Sequence, residues 1–180
     1  MKLNAKQLRT ASDNEAKEAT AKKRNPLYLI LENVYDTYNI GGLFRLADGL
    51  NVEKLYLCGI METPPNPKIK KSSIGTYKIV PWEHKKSVKE ALDDIQSHLL
   101  SGEKLLSVAV EQNERSVPYT MVDYTRPTAL IVGNETYGVL PQTLDIVDTI
   151  AEIPMWGVNK SLNVIVSAAI VSFEAIRKLA

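Results

Sequence analysis

Ile153-Pro-Met-Trp-Gly-Val-Asn-Lys-Ser-Leu-Asn-Val-Ile-Val-Ser-Ala-Ala-Ile-Val-Ser-Phe-Glu-Ala-Ile-Arg177 is the stretch whose reading decides the fold. It reads as a strand end, a tight polar loop and then a helix. Pro154 and Gly157 interrupt regular structure. Ser161 stands where a hydroxyl can accept from an early free N–H of the helix that follows. A helix over residues 162–179 would be roughly 27 Å long. Its apolar residues, among them Leu162, Val164, Ile165, Val166, Ile170, Val171, Phe173 and Ile176, cover most of its circumference. A helix apolar on so many sides must be buried on more than one. In a chain of 180 residues that implies packing on its own sheet and on another subunit. Yet the helix begins among polar residues: Asn159, Ser161 and Asn163 fall within five positions, more than capping needs.

Upstream of this stretch, short apolar runs alternate with helical segments. Residues 27–31 (Leu-Tyr-Leu-Ile-Leu) form an apolar run of strand length, the kind buried in parallel sheets covered by helices. Residues 40–50 read as a helix and 54–58 as the second strand. A proline-rich loop beginning at Thr63 leads into a short basic segment, followed by a strand over 77–82. Ser87-Val-Lys-Glu is a capping-box pattern starting a helix to about Leu100, which Gly102 ends. Strands follow at 105–110, 129–132 and 150–153, with a short helix at 141–147. The alternation predicts an α/β protein with a mainly parallel sheet and helices on both faces. Residues 1–24 read as a basic, helical N-terminal arm and residues 25–180 as a single domain.

Composition excludes several classes. One cysteine, Cys58, cannot build a disulfide framework, and its apolar neighbours Leu55, Tyr56 and Leu57 predict a buried thiol. Two histidines and one cysteine do not suggest a dedicated metal site. No apolar run approaches the ~20 residues needed to span a bilayer, and the charged N-terminus has no signal-peptide core, so a cytoplasmic protein is expected. The net charge of +1 conceals segregation: residues 1–24 carry seven Lys/Arg against three acids, residues 66–89 seven lysines against one acid, and residues 90–153 eleven acids against three bases. Such blocks suit an anionic partner, although solvated faces of an ordinary protein would also produce them.

Two further segments carry candidate chemistry. In Asn33-Val-Tyr-Asp-Thr-Tyr-Asn-Ile-Gly-Gly-Leu-Phe-Arg45, Asn39 sits near a helix start after a strand. Gly41 and Gly42 leave the backbone bare for a ligand or another chain, and Arg45 follows within the helix. Read alone, this is an Asn cap and a solvated Arg. In Ala129-Leu-Ile-Val-Gly-Asn-Glu-Thr-Tyr-Gly138 an apolar strand runs into Glu135. A carboxylate at the carboxyl end of a parallel strand lies where α/β proteins bind ligands.

Taken in order, Asn-x-Gly-x-x-x-Arg (39–45), Gly-Asn-Glu-x-x-Gly (133–138) and Ile-Pro-Met with Ser-Leu-Asn-Val (153–164) resemble the three motifs of the SpoU/TrmH-type RNA ribose 2'-O-methyltransferases of the SPOUT superfamily. Asp123-Tyr-Thr-Arg-Pro-Thr128 is similar to the tRNA guanosine-2'-O-methyltransferase branch. The sequence departs from the family at Leu46, where Thr or Ser is common, and at Asn51, where Gly is common. The resemblance implies a deep trefoil knot over about residues 130–175 and a homodimer whose active site uses both subunits. It also implies S-adenosylmethionine held mostly by backbone near Gly133, Ile153, Met155 and Leu162, with Val110 at a neighbouring strand end. Arg45 would lie beside the target 2'-hydroxyl, as base or as phosphate and charge stabiliser. Asn39, Glu135, Ser161 and Asn163 would organise ribose, Arg45 and the motif loops. Charge and position nominate Lys68, Lys70, Lys71 and the N-terminal arm for RNA phosphates. The implied activity is methylation of a ribose 2'-hydroxyl in tRNA or rRNA, with tRNA favoured. The competing reading is an RNA-binding knot protein without turnover. A dinucleotide-dependent oxidoreductase is disfavoured, because no Gly-x-Gly-x-x-Gly follows any strand.

Overall fold

The structure, a computed structural model, describes residues 4–10, 12, 15 and 23–179. Among the described residues seven strands form one sheet: β1 (Asn25–Glu32), β2 (Val52–Cys58), β3 (Trp82–Lys85), β4 (Leu106–Val110), β5 (Val117–Pro118), β6 (Thr128–Val132) and β7 (Thr149–Glu152). The order is β3-β2-β1-β6-β4-β7-β5, and every neighbouring pair is parallel. The α-helices among the described residues are α1 (Ala5–Thr10), α2 (Thr37–Gly49), α3 (Pro67–Ser72), α4 (Val88–His98), α5 (Pro141–Leu144) and α6 (Val164–Leu179).

Alternation along each strand divides the core between two faces. Leu27, Leu29 and Leu31 of β1, Leu55 and Leu57 of β2, and Leu130 and Val132 of β6 pack with α2 and α6. Tyr28, Ile30, Tyr56, Cys58, Ala129 and Ile131 pack on the opposite face with Val88, Ala91 and Ile95 of α4 and Leu144 of α5. Helix α2 contributes Ile40, Leu43, Phe44 and Ala47, all wholly buried, at the spacing of one helical face. Burial of a side chain such as Phe44 stabilises by roughly 1.5–3 kcal/mol. Phe44 also meets Trp82 edge-on at 6.2 Å.

Several boundaries differ from the sequence reading, each for a local reason. Helix α6 starts at Val164, not Leu162: Asn163 is the residue that caps it, its Oδ1 accepting from Ile165 N at 2.8 Å. Ser161 instead donates its backbone N–H to Asn159 Oδ1 at 3.2 Å within the preceding loop. Residues 77–82 are not a strand. Gly75 takes a left-handed φ of 96° and opens a 3-10 turn, Thr76–Lys78, so pairing with β2 begins only at Trp82. The basic segment is the helix α3, capped by Asn66 with Pro67 in its first turn. Helix α4 ends at His98, and Gly102 (φ 91°) serves the turn beyond it. Ser87 does cap α4, accepting from Glu90 N at 3.2 Å, while Glu90 reaches back to Lys86 N at 3.1 Å.

Of the expected N-terminal arm, α1 is described and most of residues 11–22 lie outside the described residues. Leu8 of α1 is buried, and a side chain at Gly75 would collide with the Leu8 carbonyl. Arg24 joins the arm to the sheet, donating to Val52 O and Ile79 O at 3.0 Å each.

Candidate active site

Asp36, rather than Asn39, caps α2; its side chain accepts from Tyr38 N at 2.8 Å. Asn39 is therefore released from capping and lies buried in the first turn. Its Nδ2 donates to Glu135 Oε1 at 3.0 Å, and its Oδ1 accepts from Asn163 Nδ2 at 3.1 Å. A relay runs from Glu135 after β6, through Asn39 on α2, to Asn163 at the start of α6, and ends on Ile165 N. It joins segments 96 and 124 residues apart in sequence.

Glu135 is gripped further by Tyr35 N at 3.2 Å and Asp36 N at 3.1 Å. Partial burial pushes its carboxyl up. The Asn39 amide and the backbone N–H groups of Glu135 itself, Asp36 and Tyr35 outweigh that, and the group stays below the ordinary carboxylate value. It is an anion at neutral pH with a fixed orientation. Asn134 shapes the turn that presents it, accepting from Thr136 N and Tyr137 N at 2.8 and 3.0 Å and donating to Asn33 O at 2.8 Å.

Beside this relay, at the carboxyl ends of β6, β4 and β7, lies a cavity of ≈ 690 Å³. Val110, Gly133, Ile153, Met155 and Leu162, which come from four separate segments, all line it. So do Glu135, Ser161 and Asn163. Asn39 touches it only through its bonded neighbours. Gly133 has a second duty: a Cβ there would strike the Gly138–Val139 backbone, so the tight return of the chain requires glycine. Sequence reasoning missed Glu111 and Gln112, which also line the cavity. Glu111 accepts from Val139 N at 2.9 Å, and Gln112 Nε2 donates to Lys160 O at 2.7 Å, tying the loop before α6 to the end of β4. An acid directly after a buried parallel strand was the available signal, the same one that singled out Glu135.

Arg45 is not on the cavity wall. It is exposed, and its guanidinium has no hydrogen bond or ion pair among the described residues. The two glycines between Asn39 and Arg45 serve the fold rather than a ligand. A Cβ on Gly41 would strike Ser72 of α3, and one on Gly42 would strike Ile165 of α6. Ser72 Oγ donates to Thr37 O at 3.0 Å, fixing α3 against the start of α2. Ile69 is the buried anchor of α3, which leaves Lys68, Lys70 and Lys71 exposed beside α2.

The chain resembles known proteins in sequence and in structure. It is 31% identical over 171 residues to the tRNA (guanosine(18)-2'-O)-methyltransferase of Thermus thermophilus, covering 94% of this chain and 84% of that one. To the enzyme of the same name from Aquifex aeolicus it is 33% identical over 164 residues, covering 90% and 74%. The SpoU methyltransferase AviRb from Streptomyces viridochromogenes, solved in complex with the cofactor AdoMet, superposes with a TM-score of 0.79 at 27% identity; the match covers 89% of this chain and 63% of that one. Fold and site define an S-adenosylmethionine-dependent methyltransferase built on a parallel α/β sheet. Residues 26–173 match the SpoU rRNA methylase family, and the chain belongs to it.

Proposed function

We propose that this chain transfers a methyl group from S-adenosylmethionine to a ribose 2'-hydroxyl of RNA, with tRNA the favoured substrate. The observation that carries the reading is the relay Glu135–Asn39–Asn163 standing against the cavity. Three motifs distant in sequence meet in one hydrogen-bonded unit, which an RNA-binding protein without turnover would not require.

The cavity suits the cofactor. Its volume of ≈ 690 Å³ is within the ~300–1,000 Å³ of small-molecule sites. Val110, Ile153, Met155 and Leu162 offer apolar walls for a planar base, and Glu111, Gln112 and Ser161 offer polar groups for the ribose and amino-acid ends. When bound, the cofactor supplies a methyl group already activated by the positive sulfur. The residues of the chain align and stabilise. Glu135, fixed as an anion, and Asn163 orient the ribose and the loops around it, with Ser161 at the cavity edge. Arg45, whose planar guanidinium suits a phosphate, binds the adjacent phosphate and stabilises negative charge developing on the 2'-oxygen. Lys68, Lys70 and Lys71 contact flanking phosphates, an attraction that weakens with salt. The 2'-hydroxyl itself selects RNA over DNA.

Residues 25–180 act as one methyltransferase domain, with the arm of residues 1–24 as an RNA-binding adjunct. The C-terminal segment, about residues 130–175, forms a deep trefoil knot, and two copies of the chain make the active unit. Support for the second copy comes from α6. Its inner face buries Val164, Ala168, Val171 and Ala175, while Phe173 (62% exposed) and Val166 (45%) remain outside, and the loop before the helix leaves Trp156 93% exposed.

Incubation with radiolabelled S-adenosylmethionine and, separately, total tRNA and ribosomal RNA tests the activity. Nucleoside digestion should return a 2'-O-methylated nucleoside, from the tRNA pool. Cofactor binding without label in either pool would refute catalysis and leave the non-catalytic reading.

A further inference from the structure

On the face of the sheet opposite α2, a second cavity of ≈ 430 Å³ lies between the carboxyl ends of β1 and β2, the start of α4 and helix α5. Methyl transfer has no use for it. Among the groups that line it is Glu32, the last residue of β1, only 4% exposed. The carboxylate accepts from Thr143 Oγ1 at 2.6 Å and from Leu140 N at 2.9 Å, one bond on each oxygen. An ionised carboxylate has about four lone-pair sites, so each oxygen keeps one for a further donor. Cys58, Val88 and Ile146 supply apolar wall, and Asn33, Ser87, Gln142 and Thr143 add polar groups to it. Burial pushes the Cys58 thiol up to about 12, so it serves there as a neutral wall and not as a nucleophile. At the rim stand two exposed lysines, Lys86 and Lys89. Lys89 reaches Asp93 at 2.6 Å, and the Lys86 ammonium has no partner among the described residues.

The cavity is separate from the cofactor cavity, and the two share a wall. Glu111 holds Val139 N from one side at 2.9 Å, and Glu32 holds the next amide, Leu140 N, from the other. Both open at the carboxyl edge of the parallel sheet, where ligands of α/β proteins bind.

We propose that this second cavity binds a guanine nucleotide, with Glu32 reading the base and Lys86 and Lys89 meeting the phosphate. Glu32 already holds one donor of its own chain on each oxygen, and the lone pair left on each can accept one of two adjacent donors from a ligand. Guanine is the standard base that presents two adjacent donors, the ring N1–H and the exocyclic amino group, on one edge. These match the two oxygens of a carboxylate. Adenine offers its amino group beside an acceptor nitrogen, and uracil flanks its single N–H with two carbonyls. The apolar side chains Cys58, Val88 and Ile146 can meet the ring faces. The guanine can come from a free nucleotide or from a guanosine within RNA; the recognition is the same. The inference does not rest on methyl transfer.

Isothermal titration of the full chain with GMP, AMP and ribose 5-phosphate tests it, with and without saturating S-adenosylmethionine. GMP should fill one site, unaffected by the cofactor, about tenfold or more tighter than AMP, as expected for donors on a charged acceptor. Glu32→Gln should abolish that preference, and Lys86→Ala with Lys89→Ala should weaken GMP while leaving guanosine unchanged. If Glu32→Gln proves unfolded by circular dichroism, Ile146→Trp, which fills the cavity from its mouth, decides: it should eliminate GMP binding. A short single-stranded RNA with one guanosine distinguishes the sources, tighter binding than GMP assigning the site to RNA and equal or weaker binding to the free nucleotide. The proposal is overturned by absence of saturable GMP binding at millimolar concentration, by competition between GMP and the cofactor, or by variants that bind GMP like the wild type.

Discussion

Replacing Asn39 by Ala removes two hydrogen bonds, the 3.0 Å bond to Glu135 and the 3.1 Å bond from Asn163. A bond to a charged group contributes about 1.5–3 kcal/mol and a neutral one about 0.5–1.5 kcal/mol. Glu135 is exposed and keeps the N–H groups of Tyr35 and Asp36, so water recovers part of the first term. The expected loss of stability is about 2 kcal/mol. Asn163→Ala removes the shared bond and also the cap on Ile165 N, for about 1–2 kcal/mol. In the double variant the shared bond is lost only once. The combined effect should therefore fall short of the sum by about 1 kcal/mol. Urea denaturation of the four proteins measures this directly, and the same cycle in kcat/KM should show a coupling of about fivefold. Additivity within ~0.3 kcal/mol in both measurements would refute the claim that the relay couples the three motifs.

Arg45→Ala should lower methyl transfer about 100-fold or more while S-adenosylmethionine titrates as in wild type; normal turnover would remove Arg45 from the mechanism. Mixed with a second inactive variant, Met155→Trp, which fills the cofactor cavity, Arg45→Ala should regain roughly a quarter of wild-type activity after subunit exchange, since half the dimers are mixed and each has one intact site. No recovery would argue against a site shared between subunits. Gly41→Ala forces a Cβ into Ser72 and should cost about 1–3 kcal/mol of stability, measured by urea denaturation, with RNA affinity falling as α3 and its lysines shift. Acid should destabilise the fold in a defined window. Burial opposes ionisation of Asp94, but the Tyr56 hydroxyl and the Lys85 and Lys54 ammonium groups outweigh it and hold the carboxyl at about 2; Glu135 is likewise lowered. Depressed folded-state values stabilise above the unfolded carboxylate range, and that contribution is lost as pH falls toward 2. Asp94→Asn should flatten this acid limb in pH-dependent thermal melts, and an unchanged limb would discount the Asp94 cluster.

The parallel sheet was legible because β1, β2 and β6 are short apolar runs whose alternate residues fill two cores, and that periodicity survives in one dimension. The relay was legible only as three polar clusters. Asn39 by itself does not distinguish a helix cap from a bonded core amide. Asp36, three residues earlier, supplies the cap and so changes the meaning of Asn39. The same local ambiguity misassigned Ser161, since either Ser161 or Asn163 can cap α6 and the choice depends on Asn39, 124 residues away. Gly41 and Gly42 signalled close approach correctly but not what approaches; Ser72 and Ile165 come from elements distant in sequence. Strand β5, two residues long, carries no period to read.

What unites these cases is the division of the site. Everything that must be rigid lies within one chain and is fixed by bonds between distant segments: the Glu135 carboxylate, the Asn39 amide, the Asn163 cap and the Glu111 grip on Val139. Arg45 has the opposite character, exposed and unpaired among the described residues. An arginine already bound to a carboxylate of its own chain would have to break that pair before meeting a phosphate, and would lose binding energy in doing so. Without such a pair among the described residues, it would meet the proposed phosphate at no such cost. A proposed second copy, packed on the exposed apolar side of α6, would reconcile a cavity that Arg45 does not line with the proposed place of Arg45 beside the ribose: the cavity of one copy would be completed by the arginine of the other. On that argument the exposed apolar residues and the unpaired arginine have one explanation, an assembly in which both are covered.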